Sequence, residues 1–314
     1  MPLSDPTFTS YTPSQAQTYA QLRPSYSSAL YETLLTHHTS TGGHLDVVAD
    51  VGCGPGNATR DLAASFDHAI GLDPSIEMIN SARQLSANTR TGRDVVYAVS
   101  PAEECASAIP YPGVDLLTAA MAAHWFSMPE FWADAAKAVK PGGTVALWTK
   151  ASLYCHPSTP NAAAVQRALF RLEREVLAPY ELPPNRLSRD MYDNLILPWQ
   201  TGDSALSAAF PESDFVRREW DRDGILSDGK EFFGKSTADD PDAGKTMLSS
   251  LEKGLDTASM VTRWREAHPE LVGTERDCVR ETMEEVRRVM GVAKEEDVAI
   301  KVGGGTVLLL FKRR

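Results

Sequence analysis

The stretch DVVADVGCGPGNATRDL, Asp46–Leu62, decides the fold. Small apolar residues at Val47–Val51 read as a buried strand. The chain then turns through glycines at alternate positions, Gly52, Gly54 and Gly56, and continues as a helix from about Asn57 to Phe66. A strand, a glycine loop and a helix in that order open an α/β unit whose backbone comes close to something.

Outward from this loop the pattern repeats. Short apolar runs at Ala69–Leu72, Val95–Val99, Val114–Thr118 and Thr144–Trp148 alternate with helical segments. Pro74 is expected to open the helix that runs to about Leu85, because proline is tolerated in a first turn. The helix from about Pro129 to Val139 is expected to stop at Pro141-Gly142-Gly143. Upstream, residues 25–38 place Leu30, Leu34 and Leu35 at helical spacing, His37 and His38 near a loop are expected to be exposed, and residues 1–18 read as a polar arm. Such alternation specifies βαβ units and a parallel sheet. The second half differs. Residues 160–200 and 245–292 read as mostly helical insertions, with Asp214–Trp220 and Thr306–Lys312 as late strands and Gly303-Gly304-Gly305 as a turn before the last one. The expected architecture is one α/β domain over residues 1–314: a Rossmann-like core at about 40–150, two late strands, and insertions over the carboxyl ends of the core strands, where open α/β sheets bind ligands.

Composition narrows the function classes. The 314 residues are 42% hydrophobic and 23% charged, the profile of a soluble globular chain. A net charge of −11 and a pI near 5.2 argue against broad nucleic-acid binding, although local arginines can still meet an anionic small molecule. Cys53, Cys105, Cys155 and Cys278 are scattered, so neither a disulfide framework nor a metal site is expected, and a reducing, cytoplasmic setting is the simplest. The polar N-terminus carries no secretory pattern, and no apolar run approaches the ~18 residues of a membrane span.

Three nucleotide-site patterns compete for the glycines. Gly244-Lys245-Thr246 lacks the upstream glycine of a Walker loop, since Asp239 stands there, and no strand precedes it. A dinucleotide loop would need glycine at position 57, which is Asn57. The Asn57-Ala58-Thr59 sequon lies inside the loop of a chain with no secretory signal and is discounted. The spacing G-x-G-x-G, entered from Asp50, resembles motif I of the class I S-adenosylmethionine-dependent methyltransferases. More narrowly, the chain resembles the fungal trans-aconitate 3-methyltransferase group. The likeness rests on Tyr19-x-x-x-Arg23-Pro24-Ser25-Tyr26, DVGCGPG at Asp50–Gly56, GLDPSIEMINSAR at Gly71–Arg83, LLTAAMAAHWF at Leu116–Phe126, PGGTVALW at Pro141–Trp148 and MVTRWREAHPE at Met260–Glu270.

The resemblance implies a mostly parallel seven-stranded sheet with an antiparallel last strand and helical lid insertions. It implies a metal-free site for S-adenosylmethionine, with S-adenosylhomocysteine as product, built from Asp50, Gly52, Cys53, Gly54, Gly56, Asp73, Pro74, Met78, Ser100, Ala102 and Ala120. Asp50 would orient the cationic amino or sulfonium region. Asp73, about twenty residues past the first glycine, stands where an acid accepts both ribose hydroxyls. The sequence departs from many relatives after the third strand, where Ser100-Pro101-Ala102-Glu103 stands, so Ser100 or the main chain at Ala102 is expected to hold adenine. His124, just past the fourth strand, would orient a substrate carboxylate or take a proton from a hydroxyl. Substrate contacts are expected from Tyr19, Arg23, Tyr26, Trp125, Trp148, Arg189 and Trp264, with Arg186, Arg263, Arg265 and Trp199 as further candidates, because guanidinium pairs bidentately with carboxylates.

The function expected from this resemblance is methyl transfer to an oxygen of a small metabolite, preferably a carboxylate, by a monomer or weak homodimer without nucleic-acid or membrane partners. Two alternatives stand beside it: a phenolic or polyketide-type acceptor with His124 as base, and a cofactor-binding pseudoenzyme with an interaction role.

Overall fold

The computed structural model describes residues 26–85, 87–225 and 245–314. The chain divides into two compact units. One holds residues 1–149, 190–219 and 307–314, the other 150–189 and 220–306.

The strands β1 (Val47–Val51), β2 (His68–Asp73), β3 (Val96–Val99), β4 (Val114–Ala120), β5 (Val139–Cys155), β6 (Val216–Trp220) and β8 (Ala299–Lys312) take the spatial order β3-β2-β1-β4-β5-β8-β6; residues 150–155 of β5, 220 of β6 and 299–306 of β8 fall in the second unit. β2 on β1, β3 on β2, β4 on β1 and β5 on β4 are all parallel. Every residue of β1 is buried, as a central parallel strand with both faces covered requires. Successive strands run outward from β1 to β3 and then resume at β4 on the other side of β1. That reversal opens a crevice at the carboxyl ends of β1 and β4, the place where such sheets take ligands.

Helices α1 (Ser28–Ser40), α2 (Asn57–Ala63), α3 (Ile76–Gln84), α4 (Cys105–Ala108), α5 (Met128–Ala138) and α8 (Ser204–Ala209) accompany the sheet. α3 starts two residues later than expected. Pro74 precedes its cap, and the hydroxyl of Ser75 accepts the N–H of Met78 at 3.3 Å. In α1 the buried face is Leu30, Leu34 and His38, four residues apart. The expectation that His38 is exposed is therefore wrong. Its helical phase carries it into the core, where Nδ1 meets the Thr144 hydroxyl and Nε2 the His44 carbonyl, each at 2.8 Å. His37, one residue off that phase, is half-buried.

Two glycine runs behave differently from their sequence reading. Pro141-Gly142-Gly143 does not separate helix from strand. Residue partners on β5 jump from Val139 to Thr144 between Val114 and Leu116, so the run is absorbed as a bulge in a strand that has already begun. Gly303-Gly304-Gly305 is not a turn but lies within β8. A Cβ on Gly304 would sit 3.4 Å from the carbonyl oxygens of Ala151 and Ser152, so the bare backbone permits close approach to a neighbouring chain segment.

The second unit holds α6 (Ala162–Arg171), α7 (Pro183–Arg189), α9 (Leu248–Asp256), α10 (Ser259–Ala267) and α11 (Cys278–Met290). Their apolar faces share a core that includes Val165, Leu169, Leu248, Val261, Val279 and Val286. α11 is capped by Asp277, which accepts the N–H of Val279 at 3.1 Å, and it ends at Gly291 with φ 71°. The short strand β7 (Lys245–Met247) was unforeseen. It pairs antiparallel with Ala299–Lys301, so the Lys245-Thr246 pair belongs to a sheet edge rather than to a phosphate loop. Among the described residues no helix is long and apolar enough to cross a membrane.

Trp132 anchors the first unit. It is fully buried, with ring centroids 5.1 Å from Phe131, 5.5 Å from Phe210 and 4.7 Å from Phe311, and its indole N–H donates to the Ile196 carbonyl at 2.9 Å. Trp132→Ala should lower the unfolding free energy by roughly 3–5 kcal/mol, measured by urea denaturation. A change under about 1 kcal/mol would contradict this packing.

Candidate active site

β1 and β2 end side by side, with Val51 opposite Leu72, and the glycine loop leaves from there. Gly52, Gly54 and Gly56 have φ of 66°, 53° and 83°, a region that glycine enters without steric cost. The three serve different neighbours. A Cβ on Gly52 would stand 2.6 Å from the Cβ of Ala122, and one on Gly56 would stand 2.6 Å from the Tyr97 hydroxyl. Those two positions let protein pack on protein. At Gly54 the corresponding space is open.

Asp73 closes β2 beside that opening. Its Oδ2 accepts the N–H of Gly54 and its Oδ1 that of Ser75, both at 2.8 Å. Each carboxylate oxygen keeps a further lone pair. Burial pushes the carboxyl up to about 6, against the pull of the two N–H donors. Val99, the register partner of Asp73, is 48% exposed, and Ile76 is 49% exposed. Exposed large apolar side chains beside a buried acceptor suit a ligand with a flat apolar ring and hydroxyl groups. The open space at Gly54 and the spare acceptors of Asp73 thus fit a nucleoside cofactor.

Asp50 is placed differently from its sequence reading. It is 1% exposed, and it accepts the Thr118 hydroxyl on Oδ1 and the Thr59 hydroxyl on Oδ2, each at 2.7 Å. Burial pushes it up to about 6, the two hydroxyls pull it back, and the nearby Asp73 charge adds to the rise. It ties β1 to β4 and α2, facing protein hydroxyls rather than open space. Cys53 packs with Ile79, Ala82 and Tyr97, and its N–H donates to the Leu72 carbonyl at 2.9 Å. Met78 is buried and Pro74 exposed. The N–H of Ser100 donates to the Asp73 carbonyl at 3.1 Å, while its hydroxyl donates to the Pro101 carbonyl at 3.0 Å. Ala102 is buried at the start of a short 3₁₀ turn, and Ala120 is half-buried at the end of β4.

Past β4 the backbone bends sharply. Met121 has φ 55°, uncommon for a residue with a side chain, and its N–H donates to the Trp148 carbonyl at 2.9 Å. This bend delivers His124, in the 3₁₀ turn Ala123–Trp125. His124 is 8% exposed, its Nδ1 lies 3.0 Å from the Tyr192 hydroxyl, and its ring centroid is 5.2 Å from that of Trp125. Burial pushes its pKa down to about 3, so the ring is neutral near pH 7. Tyr192 was missed from sequence. It falls in a segment read as helical, and nothing in its neighbours signals a partner so far away along the chain. Of the aromatic candidates, Tyr26 and Trp148 meet edge to face, with centroids 5.4 Å apart. Trp148 is fully buried, and its indole N–H has no hydrogen-bond partner among the described residues. Tyr19 and Arg23 lie outside the described residues.

Trp199 packs on Phe215 and Phe311, with centroids at 5.2 and 6.1 Å, and serves the core rather than a pocket wall. In the second unit, Trp264 is part of the apolar core. Arg265 is not available to a substrate. It pairs with Asp256 at 2.6 Å and with Asp277 at 2.7 Å, and those two carboxylates neutralise it. Arg263 donates to the Tyr180 carbonyl at 2.8 Å and to Asn185 at 2.6 Å. Arg189 and Arg186 both face Glu181, at 2.9 and 3.7 Å, but Nη1 of Arg189 is buried without a hydrogen-bond partner among the described residues. All four cysteines are free and buried, and no group of three or more His, Cys, Asp or Glu among the described residues could hold a metal ion.

Residues 48–143 match the family model described as a methyltransferase domain. The methyltransferase cfoB of Aspergillus candidus is 28% identical over 84% of this chain and 84% of its own. The probable S-adenosylmethionine-dependent methyltransferase CRG1 of Saccharomyces cerevisiae is 30% identical, over 41% of this chain and 43% of its own. A trans-aconitate 2-methyltransferase of Streptomyces avermitilis is 35% identical, over 32% and 37%. The matches to the last two thus take in less than half of those relatives' length. A solved structure from Anaeromyxobacter dehalogenans, named for a type II methyltransferase, shares the fold with a TM-score of 0.59 at 23% identity, covering 93% of this chain and 97% of that one. The fold is the Rossmann-like one of class I methyltransferases, and within it residues 48–143 match a methyltransferase domain.

The buried Asp73 makes a pH prediction. Its folded pKa lies above the ordinary carboxyl value near 4, so its contribution to stability is present below about pH 4 and is lost as pH rises through about 6. Asp73→Asn should remove that part of the decline, on the order of 2–3 kcal/mol between pH 4 and 7. Parallel stability–pH curves for the two proteins would refute the assignment.

Proposed function

We propose that this protein transfers a methyl group from S-adenosylmethionine to an oxygen of a small metabolite, preferably a carboxylate of the trans-aconitate kind. The observation that carries the reading is the geometry at Asp73: one carboxylate holds the open glycine, Gly54, to the start of α3 at the carboxyl end of the parallel strands. Asp73 would take the ribose hydroxyls, Gly54 would lie against the cofactor, and Ile76 and Val99 would flank the adenine. When bound, the cofactor supplies a methyl group on a sulfonium whose leaving group is a neutral thioether.

What remains for the chain is alignment and exclusion of water. A carboxylate acceptor is already ionised near pH 7 and needs no base. Alignment of two bound partners can supply roughly 7–11 kcal/mol, and opposite charges that cancel along the reaction gain from a dry pocket. The state of His124 supports a carboxylate over a phenol. With its pKa near 3, the ring is a weak proton acceptor, far from the value a general base uses at neutral pH. The relative named as a trans-aconitate 2-methyltransferase is consistent with that acceptor class. The four free buried cysteines suit a reducing cytoplasm.

Calorimetry with S-adenosylhomocysteine should show one site, and Asp73→Ala should weaken it by at least tenfold. Tritiated-methyl transfer into a metabolite extract should label an acid whose label is released by mild alkali, as a methyl ester is. Binding with no labelled product in any extract would leave a pseudoenzyme, and no binding at all would refute the reading.

A further inference from the structure

His124 has two ring nitrogens, and its proton can sit on either. Which one carries it decides whether the outward nitrogen gives or takes a proton. Nδ1 lies 3.0 Å from the Tyr192 hydroxyl, and no hydrogen bond to Nε2 is found among the described residues. The question therefore reduces to which way the Tyr192–His124 bond runs.

The surroundings of the phenol oxygen answer it. Tyr192 is about 1% exposed, and among the described residues the one hydrogen-bond partner of its hydroxyl is Nδ1 of His124. The buried phenol proton therefore has no other acceptor within hydrogen-bonding distance among the described residues. Nδ1 is the acceptor within reach. A proton on Nδ1 would instead leave the buried phenol proton without a partner.

The backbone holds Tyr192 in place for this. Met191 and Tyr192 have φ of 53° and 60°, two successive left-handed residues with side chains, and both are about 1% exposed. Such a pair persists only where surrounding contacts over-determine it, and it marks functional positions. Arg217 of β6 supplies the brace, donating to the Met191 carbonyl and to Asp193, each at 2.7 Å. The turn presents the hydroxyl to His124 and leaves Tyr192 no freedom to leave.

We propose that Tyr192 is a positioning residue that fixes His124 as the Nε2–H tautomer, so that His124 donates a hydrogen bond to the methyl acceptor instead of removing its proton. The tautomer stands on the structure alone, and the role toward an acceptor rests on the methyltransferase reading. The imidazole then orients an ionised oxygen and leaves a lone pair free for the incoming methyl. A rate-versus-pH profile cannot separate donor from base here, because the ring stays neutral from about pH 5 upward in either tautomer.

The tautomer is directly measurable. Long-range ¹H–¹⁵N correlation of the ¹⁵N-labelled full chain between pH 5 and 8, with His124 identified by its loss in His124→Gln, should show the pattern of a ring protonated on Nε2. Tyr192→Phe removes the proton donor and should shift His124 toward the Nδ1–H form. A wild-type spectrum showing Nδ1–H overturns the proposal, as does a folded Tyr192→Phe protein with an unchanged His124 pattern. If Tyr192→Phe does not fold, the wild-type spectrum decides alone. Failure of S-adenosylhomocysteine to bind would sink the methyltransferase reading without moving the His124 resonances, so the two failures are separable.

Discussion

The carboxylate of Asp73 is the constraint on which the site depends. It takes the N–H of Gly54 on one oxygen and that of Ser75 on the other. A buried peptide N–H without a partner costs about 1–3 kcal/mol, so this one side chain stabilises both the glycine loop and the cap of α3. The same bonds hold open the space at Gly54 and keep two lone pairs available. In the proposed reading structure and recognition therefore draw on the same atoms, and the carboxyl's raised pKa is the cost of burying them.

Asp50 acts one layer deeper. By accepting hydroxyls from Thr59 and Thr118 it joins the loop's strand, the following helix and the neighbouring strand β4. Gly52 lets Ala122 approach from the turn after β4, the turn that carries His124. The glycine loop and the histidine turn are thus packed together, and a displacement in one is felt in the other. Of the three alternating glycines, Gly52 serves this packing, Gly56 makes room for Tyr97 of β3, and Gly54 faces open space.

In the proposed reading the chemistry around His124 is one of placement. A ring kept neutral by burial and gripped on one nitrogen has little capacity to shuttle protons. Its value lies in presenting a fixed hydrogen-bonding edge. This agrees with an acceptor that arrives already ionised, for which distance and angle matter more than acid–base help. Strained backbone at Met121, Met191 and Tyr192 surrounds this one ring, a concentration of costly conformations that a merely structural histidine does not need. His38 shows the contrast, with both nitrogens bonded inside the core and no unusual φ of its own.

Periodicity and short motifs determined a great deal by themselves. The order of strands and helices to Trp148, the glycine loop, the acid at Asp73 and the position of His124 were all legible, because each depends on neighbours within a few residues or on the period-two and period-3.6 patterns that burial imposes. The burial of His38 was legible in principle from its phase with Leu30 and Leu34, and was obscured by the polar residues around it. Other features rest on contacts between distant segments. Pro141-Gly142-Gly143 and Gly303-Gly304-Gly305 carry the composition of turns, and only pairing with other strands made them extended. Arg265 has the same charge as any other candidate arginine until Asp256 and Asp277 claim it. Tyr192 reaches His124 across 68 positions of chain. Hydrogen bonds of that kind are set by where the fold returns the chain, a property that no local pattern of residues records.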